Sequence, residues 1–160
     1  MYSLNAPVPA SVSRLARGLA ADTIEATRRD RHTFVIKRLG EGSLREFTPT
    51  VRETLRGVEP IPVRIDGVGM FREPTAGRGP VVYLDVESPE LMAVHRGLCE
   101  PFEPVDGFEG DEYTPHVTIA RGGDADRLLD REVTESWTIE SLFVWNARYN
   151  EPVERIALPA

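Results

Sequence analysis

The chain has 160 residues, 41% of them hydrophobic, enough for one hydrophobic core and too apolar for general disorder. Its 26 acidic and 19 basic residues leave a net charge of −7, a poor platform for gripping long duplexes, whose rows of phosphates need many cations in register. A single cysteine, Cys99, excludes an internal disulfide and a cysteine-based zinc cluster, and no run reaches the roughly 18 apolar residues of a membrane span.

The first residues lack the basic start and apolar stretch of a signal peptide, so a soluble, cytoplasmic protein is the expectation. Tyr2 to Val8 reads as a short strand ended by Pro7 and Pro9. Val12, Leu15, Ala16, Leu19 and Ala20 recur at helical spacing. Thr33 to Leu39, rich in β-branched and aromatic residues, predicts a strand that stops at Gly40. Ser43 is placed to cap a short helical turn, and Thr48-Pro49 reads as the start of a helix carrying Val51, Leu55 and Val58. Ile61 to Val68 alternates apolar and polar residues, the pattern of a half-buried strand.

In the second half, Val81 to Val86 predicts a strand, and Ser88-Pro89 opens a helix. An acidic, Gly-rich loop runs to Gly110. His116 to Ala120 predicts a strand, Asp124 to Asp130 a short helix, Ser136 to Trp145 one long strand, and Val153 to Leu158 a last one. Each half thus reads strand, helix, strand, helix, strand. This pseudo-repeat implies one domain over 1–160 built from two similar lobes, about 1–68 and 81–160, joined by the Gly/Pro-rich stretch 69–80 and facing each other across a cleft.

The segment Tyr113-Thr114-Pro115-His116-Val117-Thr118-Ile119-Ala120-Arg121 carries the strongest chemical signal. Residues i and i+2 of a strand share a face, so His116 and Thr118 point the same way, an imidazole to move a proton beside a hydroxyl to hold an oxygen. Arg121 belongs by parity to the opposite face unless the strand bulges. His32 heads the corresponding strand of the first half, and two imidazoles at matched positions suit paired acid–base catalysis. Two histidines alone make a weak metal site, so no metal is expected. His95, between Leu91 and Leu98, reads as a helix-face residue.

These motifs, the opening strand, the Gly67-Val68-Gly69-Met70-Phe71 stretch, the helix after Val86 and the ending around Trp137 to Tyr149 resemble the two-histidine (2H) phosphoesterase superfamily. The likeness is to its RNA 2′,3′-cyclic phosphodiesterases, historically called 2′-5′ RNA ligases. The resemblance implies an α+β, bilobal fold of antiparallel sheets with outer helices around a central cleft, working without metal or other cofactor. The implied reaction opens a 2′,3′-cyclic phosphate to a 2′-phosphomonoester, with His32 and His116 catalytic; some members also join RNA ends through a 2′-5′ bond. The implied partners are RNA ends or small 2′,3′-cyclic phosphates, with no membrane and no obligate protein partner. The acidic, lysine-poor composition also resembles that of proteins from salt-accumulating archaea; a genome favouring arginine codons would give the same bias.

The first motif departs from the family pattern. Two residues after His32 stands Phe34, and the hydroxyl comes one place early, at Thr33. A β-bulge between His32 and Thr33 would turn Thr33, Val35 and Lys37 to the cleft, making Thr33 and Lys37 phosphate ligands beside Thr118 and Arg121. A regular strand would instead put Phe34 there. Phe71 and Tyr113 are candidates to stack a base. Two rival functions stay open: a 2H enzyme acting on a small cyclic nucleotide-type phosphate, and a non-catalytic binder of RNA ends or nucleotides.

Overall fold

The computed structural model describes residues 1–160 and holds three α-helices and nine strands in two antiparallel sheets. The first sheet has the order β3-β1-β8-β9, built from β1 (Tyr2–Ala6), β3 (Phe34–Gly40), β8 (Ser141–Asn146) and β9 (Glu151–Ala157). The second has the order β2-β6-β5-β4-β7, from β2 (Thr27–Arg28), β4 (Ile61–Phe71), β5 (Val81–Glu87), β6 (His116–Arg121) and β7 (Thr134–Ile139). Helices α1 (Ala10–Ala20), α2 (Leu44–Thr54) and α3 (Pro89–Leu98) complete the α+β fold. One buried cluster joins residues of both sheets and all three helices, among them Leu4, Val12, Phe34, Val51, Ile65, Leu91, Ile119 and Val144.

The two lobes do not divide as 1–68 and 81–160. The first sheet takes β1 and β3 from one end of the chain and β8 and β9 from the other, while β4 pairs with β5 and β7 in the second. The segment 69–80 therefore includes the end of β4 and joins two neighbours of one sheet. Nor is Ser136–Trp145 a single strand. Its first part lies on β4, its second between β1 and β9, and the chain changes sheets at Glu140, whose carbonyl accepts the Leu158 N–H at 2.9 Å. No Gly or Pro marks the crossing.

Helix starts follow local chemistry. Ser88 Oγ accepts the Leu91 N–H at 3.0 Å with Pro89 at the first helical position, as the sequence predicts. α2 begins earlier than Thr48-Pro49, at Leu44, where the Glu46 carboxylate reaches back to the Ser43 N–H at 3.3 Å. Strand β2, two exposed residues, has no apolar pattern to announce it.

Candidate functional site

On β6 the alternation breaks once. Asp85 faces His116, Leu84 faces Val117 and Tyr83 faces Thr118, but Val82 then faces Ala120, so Ile119 is an extra residue bulged into the core. The bulge brings Arg121, opposite Val81, to the same face as His116 and Thr118. A second bulge on β4 contains Gly67 at φ +83° and sets Gly69 against Tyr83. A Cβ at Gly69 would lie 2.5 Å from the Tyr83 ring, so only glycine lets that ring lie flat here. Tyr83 packs on the His116 imidazole at 5.1 Å, and Phe71 meets the same imidazole edge-on at 5.3 Å. Phe71 thus walls the histidine.

His116 Nδ1 donates to the Thr114 carbonyl at 2.7 Å, and Nε2 takes no protein partner. Because a carbonyl only accepts, this bond fixes the proton on Nδ1 and leaves the Nε2 lone pair free. Burial pushes the imidazole below its ordinary range, the Thr114 bond opposes this, and the charges of Arg38 and Arg29 depress it further. The free imidazole is therefore neutral at pH 7, with its Nε2 lone pair open.

The facing wall is β3, which also carries a bulge, at a different place from the one the sequence suggested. Asn5 faces Val35, Leu4 faces Lys37 and Ser3 faces Arg38, so the extra residue is Ile36. Thr33, Val35 and Arg38 line the cleft, while Phe34, Lys37 and Leu39 are buried. Lys37 is therefore no phosphate ligand. Its ammonium group is wholly buried and donates to Glu109 Oε1 at 2.7 Å, the Arg38 carbonyl at 2.8 Å and the Glu103 carbonyl at 3.3 Å. Arg38, one residue on, stands where Lys37 was expected.

β3 is an edge strand, and side chains from α3 and the loop after it cover its outer backbone groups. Tyr113 Oη donates to the Val35 carbonyl at 2.9 Å, His95 Nδ1 to the Ile36 carbonyl at 2.8 Å, and Glu109 Oε2 accepts the Arg38 N–H at 2.8 Å. Tyr113 is thus no base-stacking platform: it is buried and stacked on His95 at 3.8 Å, and burial pushes its hydroxyl pKa up. His95 is also fully buried, with Nε2 accepting the Gly110 N–H at 3.0 Å. The same loop lays Phe108 against the Arg38 guanidinium, 4.5 Å from ring centre to charge.

Between the walls lies a cavity of about 580 Å³, whose lining includes Arg28, Arg29, Arg31, Arg38 and Arg121 against one acidic residue, Asp30. The side chains of Arg29 and Arg38 have no hydrogen-bonded or ion-paired partner. Burial foremost, then the nearby Arg121, lowers the pKa of Arg29. Arg121 Nη1 holds the carbonyls of Ala76 at 3.0 Å and Arg78 at 3.3 Å, pinning the β4–β5 connection to the cleft edge. Asp124 accepts three backbone N–H groups, from Ile24, Glu25 and Ala26, at 2.7–3.1 Å, and so fixes the chain leading into Thr27–Arg31.

His32 precedes β3, and both its ring nitrogens are buried without a partner; the residues lining the cavity include neither His32 nor His116, while Arg29, which does line it, lies near both. Burial, then Arg17 and Arg29, lowers the His32 pKa. The arginines at 28, 29, 31 and 38 are residues that the sequence alone did not single out; the bulge that selects Arg38 over Lys37 leaves no signature in residue types.

The profile of the 2′-5′ RNA ligase superfamily matches residues 29–152, which span β3, β6 and both walls of the cleft. The chain belongs to this superfamily. An RNA 2′,3′-cyclic phosphodiesterase of Methanothermobacter thermautotrophicus is 42% identical over 85 residues, 52% of this chain and 45% of that protein. The solved structure of E. coli LigT complexed with NADP+ superposes with a TM-score of 0.69 at 19% identity, covering 99% of this chain and 97% of the other. A Thermus thermophilus protein gives 0.68 at 16% identity, covering 98% and 97%. These two establish the fold of the superfamily member described here, two antiparallel sheets with outer helices. No helix is long and apolar enough to cross a membrane.

Proposed function

We propose that the cleft opens a 2′,3′-cyclic phosphate, at an RNA end or on a nucleotide-sized fragment, to a 2′-phosphomonoester. The observation that carries this reading is five arginines lining one cavity of a protein with net charge −7, two of which, Arg38 and Arg29, lie near enough to the His116 imidazole to depress its pKa. The cyclic diester carries one negative charge and its product up to two, so cations fixed around the phosphorus favour the state reached as the ring opens. Arg38 and Arg121 approach from opposite walls, with Thr118 and Thr33 supplying hydroxyls to non-bridging oxygens. His116 Nε2 takes a proton from the attacking water as the phosphorus–O3′ bond breaks, and the departing 3′-oxygen takes up a proton to become the free 3′-hydroxyl. With a ribose 5′-hydroxyl in place of water, the same geometry serves 2′-5′ joining. The Methanothermobacter relative's name supports the RNA-end substrate.

The test is product analysis after incubation with an oligonucleotide ending in 2′,3′-cyclic phosphate, in excess chelator, with a nucleoside 2′,3′-cyclic phosphate alongside. Conversion to the 2′-phosphate, abolished by His116→Ala, is expected. Preference for the nucleoside would assign the cleft to small cyclic phosphates, and binding of both without turnover would refute catalysis.

A further inference from the structure

The cleft face of the first sheet is built from rows of directly opposed residues. Arg38 on β3 pairs with Ser3 on β1, and Ser3 pairs with Trp145 on β8, so the three share a face, and all three line the cavity. The next row runs Val35, Asn5, Phe143. Arg38 and Trp145 thus stand two strand spacings apart, about 10 Å, with the smallest side chain of their row between them. Of the two aromatic rings in the lining, Tyr2 packs edge-on against Phe47 at 5.9 Å, whereas Trp145 is half-buried and stacks on no other ring. The Arg31 guanidinium lies over the indole, 5.8 Å from its centre, and donates to the Asn150 carbonyl, so this cation is held at the β8–β9 turn. Asn5 is 4% exposed; its Oδ1 accepts the Ser3 hydroxyl at 2.8 Å, which leaves its amide nitrogen in the cavity lining without a protein partner.

We infer that Trp145 is the stacking platform for the nucleobase of the nucleoside that carries the cyclic phosphate, a base subsite reached from Arg38 across Ser3 and Asn5. This rests on the cleft being the cyclic-phosphate site proposed above. With the phosphate between Arg38 and Arg121, the ribose lies over Ser3, whose short side chain leaves it room, and the Asn5 amide donates to a ribose oxygen. The base then meets the indole face, with the Arg31 guanidinium covering it from the other side. Stacking reads the flat face that every nucleobase has and not its hydrogen-bonding edge, so purines and pyrimidines both serve. The arginine end of the cavity answers to any phosphate; the Trp145 end is what separates a nucleotide from inorganic phosphate or a base-less sugar phosphate.

Two measurements test the inference. The first compares adenosine 2′,3′-cyclic phosphate with 1-O-methylribose 2,3-cyclic phosphate, which keeps the sugar and the phosphate and lacks the base. Wild type should prefer the nucleoside, and Trp145→Ala should lower that preference, the ratio of the two kcat/KM values, roughly 5- to 100-fold, the range for one stacked base, mainly through KM; Trp145→Phe should recover part of it. Equal losses on both substrates would make Trp145 a structural residue and overturn the inference while leaving the cyclic-phosphate reading intact. A loss seen only with a cyclic-phosphate oligonucleotide would also overturn it, by placing the indole under the base one residue upstream. The second measurement needs no turnover. The chain has two tryptophans, and adenosine 2′-monophosphate should quench the fluorescence of wild type but not of Trp145→Phe, while ribose 2-phosphate should leave wild type unquenched. Quenching that persists in Trp145→Phe would overturn the inference, and a protein that neither binds adenosine 2′-monophosphate nor opens either cyclic phosphate would overturn both the inference and the reading on which it rests.

Discussion

Replacing the only lysine separates its structural role from a catalytic one. The Lys37 ammonium group has three protons and three acceptors, the Glu109 carboxylate and two backbone carbonyls, while Glu109 also accepts the Arg38 and Val105 N–H groups. The side chains are 0% and 1% exposed, so neither charge has recourse to water. Burial alone would raise the Glu109 pKa, yet the hydrogen bonds from Arg38, Lys37 and Val105 hold it below the ordinary range. Lys37→Met leaves that carboxylate buried without its counter-charge, a loss of about 3–5 kcal/mol for a broken buried pair. For a domain of this size, at about 2–4 °C per kcal/mol, that lowers the melting temperature by roughly 6–20 °C. Adding Glu109→Gln should restore part of it, because the remaining group is no longer charged. Urea melts of the single and double variants give the stabilities, and kcat and KM on the cyclic-phosphate oligonucleotide, taken well below the transition, give the catalysis. A Lys37→Met protein of wild-type stability whose kcat has collapsed would refute the buried-pair account and return Lys37 to the phosphate.

Two further predictions concern pH. His32, His95 and His116 are all depressed, with burial the first cause in each, so the unfolded chain binds protons more readily. Their contribution is therefore present above the unfolded value of about 6.5 and lost as pH falls below it; the denaturant midpoint should drop between about pH 7.5 and 5.5, and a flat midpoint would contradict the assignment. Asp124, held at about 2 by the Ile24 N–H foremost, with Glu25, Ala26 and Arg127 also contributing, stabilises its loop above the unfolded carboxylate value of about 3.9 and releases it as pH falls toward 2. Asp124→Asn should make the amides of residues 24–26 exchange faster at neutral pH, and unchanged exchange would show that the loop is held otherwise.

Much of the fold and half of the site were legible in the residues. The Ser88-Pro89 cap, the apolar spacing of α1 and the His116-x-Thr118 pair depend on neighbours within a few positions, which sequence displays. The faces of Lys37, Arg38 and Arg121 depend on where a bulge falls, and Ile36 and Ile119 are ordinary strand residues in composition. The rarity of lysine correctly marked position 37 as special, but rarity does not distinguish a ligand for phosphate from a partner for a buried carboxylate. The sheet change at Glu140 was hidden for a similar reason: β7 and β8 are both good strands, and only their partners, far away in sequence, separate them.

The positions of the cleft arginines also explain why so many residues around the site are given to anchoring. Guanidinium groups brought together repel one another, and a flexible surface would let them part. Here the chain around several of them is held from outside the cavity. Asp124 fixes the segment ahead of Arg28 and Arg29, the Lys37–Glu109 pair fixes the Arg38 backbone while Phe108 meets its guanidinium, and the carbonyls of Ala76 and Arg78 hold Arg121. Core packing and these anchors offset the repulsion in the empty site, and an arriving phosphate relieves it. A cleft so built gains most from a compact ligand carrying concentrated negative charge, which is what a terminal phosphate offers and a long, evenly charged backbone does not.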